Sequence, residues 1–192
     1  MDANTPQWVA VSAAIKARRT NLRINVDQIV PVELVEALCE LACWAPNHKR
    51  THPWRFAAVS GDARRDLGEQ VAAFQVQCGE TDEGRLAKSR GKYLRAPTIL
   101  LLASHSAPDA DERRKAEDRD AVSAGVQNLL LAATAAGLAS YWGTGPITDA
   151  PAVRERCGFA PDDHIVGAIY LGWPMGEVPV PERQPANVTW VT

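Results

Sequence analysis

The sequence predicts an α+β fold, and three observations carry that reading. Segments whose apolar residues recur at helical spacing are interleaved with short apolar runs of strand length. No Gly-x-Gly-x-x-Gly follows a strand; the nearest approach, Gly143-Thr144-Gly145-Pro146, lacks the third glycine and continues as a turn, which argues against a doubly wound dinucleotide fold. The length of 192 residues, 46% of them hydrophobic, suits one domain over 1–192 with a core of its own and no linker or internal repeat.

Trp8, Val9, Val11 and Ile15 predict a helix over residues 6–19. Val32, Leu34, Val35, Leu38 and Leu41 predict a second, with Pro31 in a first turn where its missing N–H is harmless. A polar loop follows between Pro46 and Pro53, and then a strand over 54–59, rich in aromatic and β-branched residues. Asp62 is placed to cap a helix reaching Gln77, and a more polar helical stretch leads to Arg95. Pro97 marks the start of a buried strand over 98–102.

Residues 109–120 hold six acids and four bases, which predicts a solvated loop and helix start with no chemistry beyond that of a mobile flap. Residues 121–136 are apolar nearly all round and predict a helix buried in protein, ended by Gly137 in the left-handed conformation. A short strand over 138–142, a helix opened by Asp149 and Pro151 and stopped at Gly158, and a core strand over 165–171 complete the domain. From Trp173 onward four prolines exclude helix and predict an extended arm over 173–192. Its strand-like end, 187–191, either wraps its own domain or adds an edge strand to a neighbour's sheet.

Composition closes several routes. A net charge of −2 provides no field to collect nucleic acid or acidic membrane. No apolar run is long enough to span a bilayer, and residues 1–5 lack the layout of a signal peptide, so the expected location is cytoplasmic. Four unevenly spaced cysteines do not make a disulfide framework. Walker, Cys-x-x-Cys, His-Glu-x-x-His and Gly-x-Ser-x-Gly motifs are all missing, which leaves no catalytic side-chain set and no metal site to assign.

Three constellations remain. Lys16, Arg18, Arg19, Thr20 and Arg23 close the first helix; they either satisfy its last carbonyls or form an anion site in which guanidinium forks meet phosphate. The loop Ala45-Pro46-Asn47-His48-Lys49-Arg50-Thr51-His52-Pro53 is either an ordinary polar loop or a set of hydrogen-bonding groups for a planar polar ligand. His48 and His52 have metal-ligand spacing for a helix, but the flanking prolines argue against one. Tyr141-Trp142-Gly143-Thr144-Gly145-Pro146 is either a plain turn or a place where backbone approaches a flat ring. Cys39 and Cys43 share an apolar helical face and read as core; a Cys/His hydrolase using His48 lacks an orienting third group.

In order and combination these segments resemble the nitroreductase family, and most closely its short bacterial members. The resemblance covers nearly the whole chain and rests on Arg18-Arg19-Thr20, on Ala45-Pro46-Asn47-His48-Lys49 with Pro53-Trp54-Arg55-Phe56, on Ser123-Ala124-Gly125, on Gly137-Leu138 leading to Trp142-Gly143-Thr144-Gly145, and on Ile165-Val166-Gly167 leading to Tyr170-Leu171-Gly172 and Pro174.

It implies a mixed central β-sheet flanked by helices, an intertwined homodimer with the arm crossing between subunits, and FMN at the interface. It further implies that Arg18, Arg19 and Thr20 hold the phosphate side of one flavin and that Trp142, Gly143 and Thr144 line that flavin from the same subunit. Trp44 and His48 would reach in from the other. The chain departs from the family pattern at His52, Trp44 and Gly143, where a glutamine and two basic residues are usual; Arg50 and Arg183 are the cations available to offset the lost charge.

The implied activity is hydride transfer from NADH or NADPH to a nitroaromatic, a quinone or a similar electron-poor acceptor by a ping-pong mechanism, with flavin N5 carrying the chemistry. The alternatives are another flavin reaction on the same fold (dehydrogenation, dehalogenation or flavin fragmentation) and a non-catalytic flavin-binding module.

Overall fold

A computed structural model describes residues 5–192; residues 1–4, on which the absence of a signal peptide was partly read, lie outside it. Among the described residues the α-helices and β-strands occur in the order α1 (Pro6–Ala17), β1 (Ile24–Asn25), α2 (Val32–Ala42), β2 (Trp54–Ser60), α3 (Ala63–Gln77), α4 (Glu83–Lys92), β3 (Thr98–Ser104), α5 (Glu112–Ala135), β4 (Ala139–Gly143), α6 (Pro151–Arg156) and β5 (His164–Pro174). The fold is α+β, as the apolar spacing predicts.

The five strands form one sheet in which β5 is the hub, flanked by β3 and β4 and joined at its end by β1, while β2 lies outside β3. All four strand pairings are antiparallel. The parallel component of the expected mixed sheet is one isolated bridge, Thr20 to Ser140.

Side chains of β3 alternate between two apolar clusters, one on each sheet face. Leu100 and Leu102 join Leu38, Val122, Val126 and Leu129 of α2 and α5, whereas Ile99, Leu101 and Ala103 join Leu67 and Val71 of α3 and Val153 of α6. With both faces covered, every residue of β3 is buried, which is why its sequence is a continuous apolar run and not an alternating one.

β5 carries a bulge. Leu102 pairs with Gly167 but Ala103 pairs with Ile165, leaving Val166 as the extra residue. Before the bulge the odd-numbered Ile165 faces the α3–α6 cluster; after it the even-numbered Ala168 and Tyr170 do.

Glycines set two close approaches. A Cβ at Gly125 would lie 2.7 Å from the Ala42 carbonyl oxygen, so glycine is what lets α5 press against α2. Gly137 takes φ +79° after α5, as its place at the helix end predicts.

Several boundaries differ from the sequence reading. The first helix ends at Ala17, so Arg18-Arg19-Thr20 lies beyond it in extended chain, with Arg18 at φ −56° and ψ 128°. Asp62 sits at the start of α3, but its side chain makes no capping bond. Within the loop and helix start expected over 109–120 the helix takes the larger share: α5 begins at Glu112, capped by Asp111, and runs 24 residues. The last strand continues through Trp173 and Pro174, because β1 pairs with both residues. Beyond it the arm is extended, as the prolines dictate, yet residues 187–191 form no strand and stay exposed: no edge of the same chain's sheet receives them.

Candidate functional site

The Thr20–Ser140 bridge, with the Asn21 N–H donating to the Ser140 carbonyl at 2.9 Å, fastens the Arg18-Arg19-Thr20 segment against β4 two residues before Trp142. Two of the three constellations thereby become one corner of the molecule. Arg19 turns its guanidinium back to donate to the Lys16 carbonyl and, at 2.9 Å, to that of Arg18, so it does part of the helix-capping work. Arg18 donates its backbone N–H to the Ala14 carbonyl, but its guanidinium has no hydrogen-bond or ion-pair partner among the described residues and is available to an anion. Arg19 also borders a cleft of about 530 Å³ whose walls include Asn21, Leu138 and, from the arm, Val178 and Val180.

At the end of β4 the Trp142 indole is part exposed and lies over Gly167, where a Cβ would stand 2.3 Å from Trp142 Nε1. Gly143 is buried; a Cβ there would fall 2.8 Å from the Tyr141 ring and 3.3 Å from that of Tyr170. A side chain at 143 would therefore require the Tyr141 and Tyr170 rings to shift. Lys92, which the sequence reading did not single out, approaches from α4 with Nζ 3.5 Å from the Thr144 carbonyl. Burial, aided by Arg95 and Lys88, lowers its pKa below the ordinary lysine value.

Trp44 and His48 lie apart from this corner. Trp44, just beyond α2, is 78% exposed, and His48 Nε2 is 4.0 Å from Glu117 of α5. No hydrogen bond or ion pair among the described residues joins either one to Arg18, Arg19, Thr20, Trp142, Gly143 or Thr144. Their loop has unusual backbone: Lys49, Arg50 and His52 take φ of 62°, 53° and 52°. Each non-glycine residue held there costs on the order of 1–3 kcal/mol, which contacts around it must offset. The irregular geometry does not present His48 and His52 as a helical metal pair.

What enforces it was invisible in composition. Asp118, one of the six acids read as solvated, is fully buried on the inner face of α5. It accepts hydrogen bonds from Thr51 Oγ1 and, at 2.8 Å, from Ser106 Oγ. Asn47 extends the network, donating to Thr51 Oγ1 at 3.0 Å and accepting from the His52 N–H at 2.9 Å. The available signal was helical phase: the residues three, four and seven places beyond Asp118 are Ala121, Val122 and Gly125, all buried. Beside this network His105 Nδ1 lies 2.6 Å from the buried Asp163 carboxylate and borders a second cleft of about 540 Å³.

No hydrogen bond among the described residues joins a thiol to His48, and of the pair read as core Cys39 is half-buried whereas Cys43, just beyond the end of α2, is exposed. Burial, with Cys43 and Glu36 adding repulsion, pushes Cys39 up to about 12, and burial raises Cys157 to about 11. No group of three or more His, Cys, Asp or Glu residues among those described is arranged to hold a metal ion. No helix among them is long and apolar enough to cross a membrane.

Comparison with known proteins gives a consistent result. Residues 15–173 match the Nitroreductase family. A relative from Escherichia coli K12, provisionally named an NAD(P)H nitroreductase, is 30% identical over 148 residues, which is 77% of this chain and 80% of the relative. Among solved structures, a nitroreductase-like family protein from Bacillus cereus superposes with a TM-score of 0.77 at 28% identity, covering 91% of each chain. A nitroreductase from Desulfovibrio desulfuricans, solved in complex with FMN, gives 0.68 at 29% identity, covering 95% of this chain and 93% of that one.

Proposed function

This chain belongs to the nitroreductase family, and from that premise we propose that it is an FMN-dependent oxidoreductase passing hydride from NADH or NADPH to nitroaromatics, quinones or similar electron-poor acceptors. In this reading residues 1–192 form one FMN-binding domain that works in the cytoplasm as a homodimer, with the flavin at the interface. The observation that carries it is the Thr20–Ser140 bridge, which sets an unpaired guanidinium beside an aromatic and glycine-lined strand end in a chain otherwise without catalytic motifs.

Each segment then has a task. Arg18, Arg19 and Thr20 bind the phosphate, the guanidinium forks giving charge-assisted bonds and the hydroxyl another. Trp142, Gly143 and Thr144 line the flavin, Gly143 through its backbone, since its Cβ side is packed against the Tyr141 and Tyr170 rings. Trp44 and His48 act on the partner's flavin, which accounts for their separation from the corner within one chain. FMN, when bound, supplies a ring that takes hydride from the nicotinamide and gives it to the acceptor, the two occupying one pocket in turn. The protein's work is to orient the rings and, with nearby cations and N–H donors, to offset negative charge there, so no acid–base dyad is required.

A homodimer is supported by apolar side chains left uncovered: Trp8, Val9, Val11 and Ile15 on α1, Trp44, and Val188, Trp190 and Val191 in the arm. The four free cysteines support a reducing compartment.

The test is the absorbance spectrum of the purified protein, followed by addition of NADPH or NADH without oxygen and then of a nitroaromatic or quinone. A flavin band that bleaches with the donor and returns with the acceptor is expected. A colourless protein that does not bind added FMN overturns the reading; a band that bleaches but does not return with any such acceptor turns it toward a different flavin reaction. Arg18→Ala should raise the Kd for FMN roughly 10- to 150-fold, the worth of a hydrogen bond to a charged group.

A further inference from the structure

The loop over residues 47–52 holds three non-glycine residues in the left-handed region and buries almost nothing, since His48, Lys49, Arg50, Thr51 and His52 are all exposed. Hydrophobic packing therefore does not account for its shape. Strained, exposed backbone persists only where specific contacts determine it. Those contacts are the chain from Asn47 Nδ2 through Thr51 Oγ1 to the Asp118 carboxylate, and the return bond from the His52 N–H to Asn47 Oδ1. Asp118 uses its second oxygen on Ser106, in the loop leaving β3, and the same loop is tied to the strained one by the His105 N–H bond to the Pro53 carbonyl at 2.8 Å.

A carboxylate enclosed at this depth, with hydroxyls as its hydrogen-bonding partners and no cation bonded to it among the described residues, is a costly way to fasten two loops. What it supplies is a single geometry for the segment that carries His48.

We propose that Asp118 is a positioning residue for flavin binding in trans: it holds the 47–52 loop in the one shape in which His48 meets the flavin of the partner subunit. The inference rests on the cross-subunit site described above. It goes further by assigning that site's geometry to a residue from the acidic segment, which itself touches neither flavin nor substrate.

Thr51→Val removes the donor at constant size, Asp118→Asn removes the charge, and Thr51→Ser keeps the hydroxyl. FMN titration of the apoprotein, trypsin cleavage after Lys49 and Arg50, and the thermal midpoint are measured for each. Thr51→Val and Asp118→Asn should raise the Kd for FMN about tenfold and speed cleavage at the loop several-fold, while Thr51→Ser restores both.

Mixed dimers separate positioning from general damage. In a Thr51→Val with Arg18→Ala heterodimer, one site combines an intact Arg18 with an intact loop, so half of the flavin should bind with wild-type affinity. Uniformly weakened sites in that heterodimer, or variants that lose thermal stability with unchanged flavin affinity and cleavage, overturn the proposal. A wild-type protein that binds no FMN overturns the flavin reading itself; unchanged cleavage in the variants then also removes the loop-holding role.

Discussion

β3 and α1 are built from the same kind of residue and meet opposite fates. Every residue of β3 is buried, whereas α1, with Trp8, Val9, Val11 and Ile15, buries none, and Trp8 is 59% exposed. The helix is well made locally: Thr5 Oγ1 accepts from the Trp8 N–H and Pro6 opens the first turn. It touches α5, but nothing covers its apolar side chains. The difference teaches that one chain finishes its sheet but not its outer shell, and that apolar spacing reports a demand for burial without saying which chain meets it.

The largest expected effect tests the finished half. Leu101→Ala, at a fully buried position facing the α3–α6 cluster, should cost about 2–5 kcal/mol in chemical unfolding. A cost below about 1 kcal/mol would show that β3 relaxes freely and that its burial is not what organises the core.

The unfinished half should respond in association instead. Trp8→Asp places a carboxylate in the first turn of α1, where the helix tolerates it, so helix content should hold. Dimer dissociation measured by sedimentation should strengthen roughly 30-fold, the equivalent of about 2 kcal/mol at a central aromatic contact. An unchanged association constant would remove α1 from the proposed interface.

The smallest effect is expected at Cys39, on the inner side of α2. With its pKa near 12, only about one thiol in ten thousand is ionised at pH 8. The sign follows from the cause: burial disfavours the thiolate, so reactivity rises only as pH approaches that value. Iodoacetamide at pH 8 should leave Cys39 unmodified by mass spectrometry, with hydride transfer intact. Rapid labelling of Cys39 with loss of activity would return the Cys/His alternative.

The same contrast explains what was legible beforehand. β3, the helix over 121–136 and the left-handed Gly137 follow from local patterns, because two-faced burial, continuous apolar character and glycine's freedom are properties of short segments. Strand order is not, and neither is β1, whose two residues are too few to show a period. The site was named by its motifs, but the bridge that unites Thr20 with Ser140 spans residues far apart in sequence. Asp118 was missed because a count of charges averages over a segment, while burial depends on which side of the helix one residue occupies.

The bulge at Val166 bears on how this protein can change over generations. Because Val166 is the extra residue, deleting it would leave Ile165 opposite Ala103 and still facing its cluster, whereas deleting a residue farther along β5 would turn the residues on one side of the loss to the wrong face. An insertion elsewhere in β5 would do comparable harm farther along, where Gly172 admits Ile24 and Pro97 so closely that a Cβ would meet Ile24 at 2.4 Å. Drift in length can accumulate in the arm, the surface loops and the bulge itself, but between Gly167 and Trp173 descendants should keep the same number of residues even where they no longer keep the same ones.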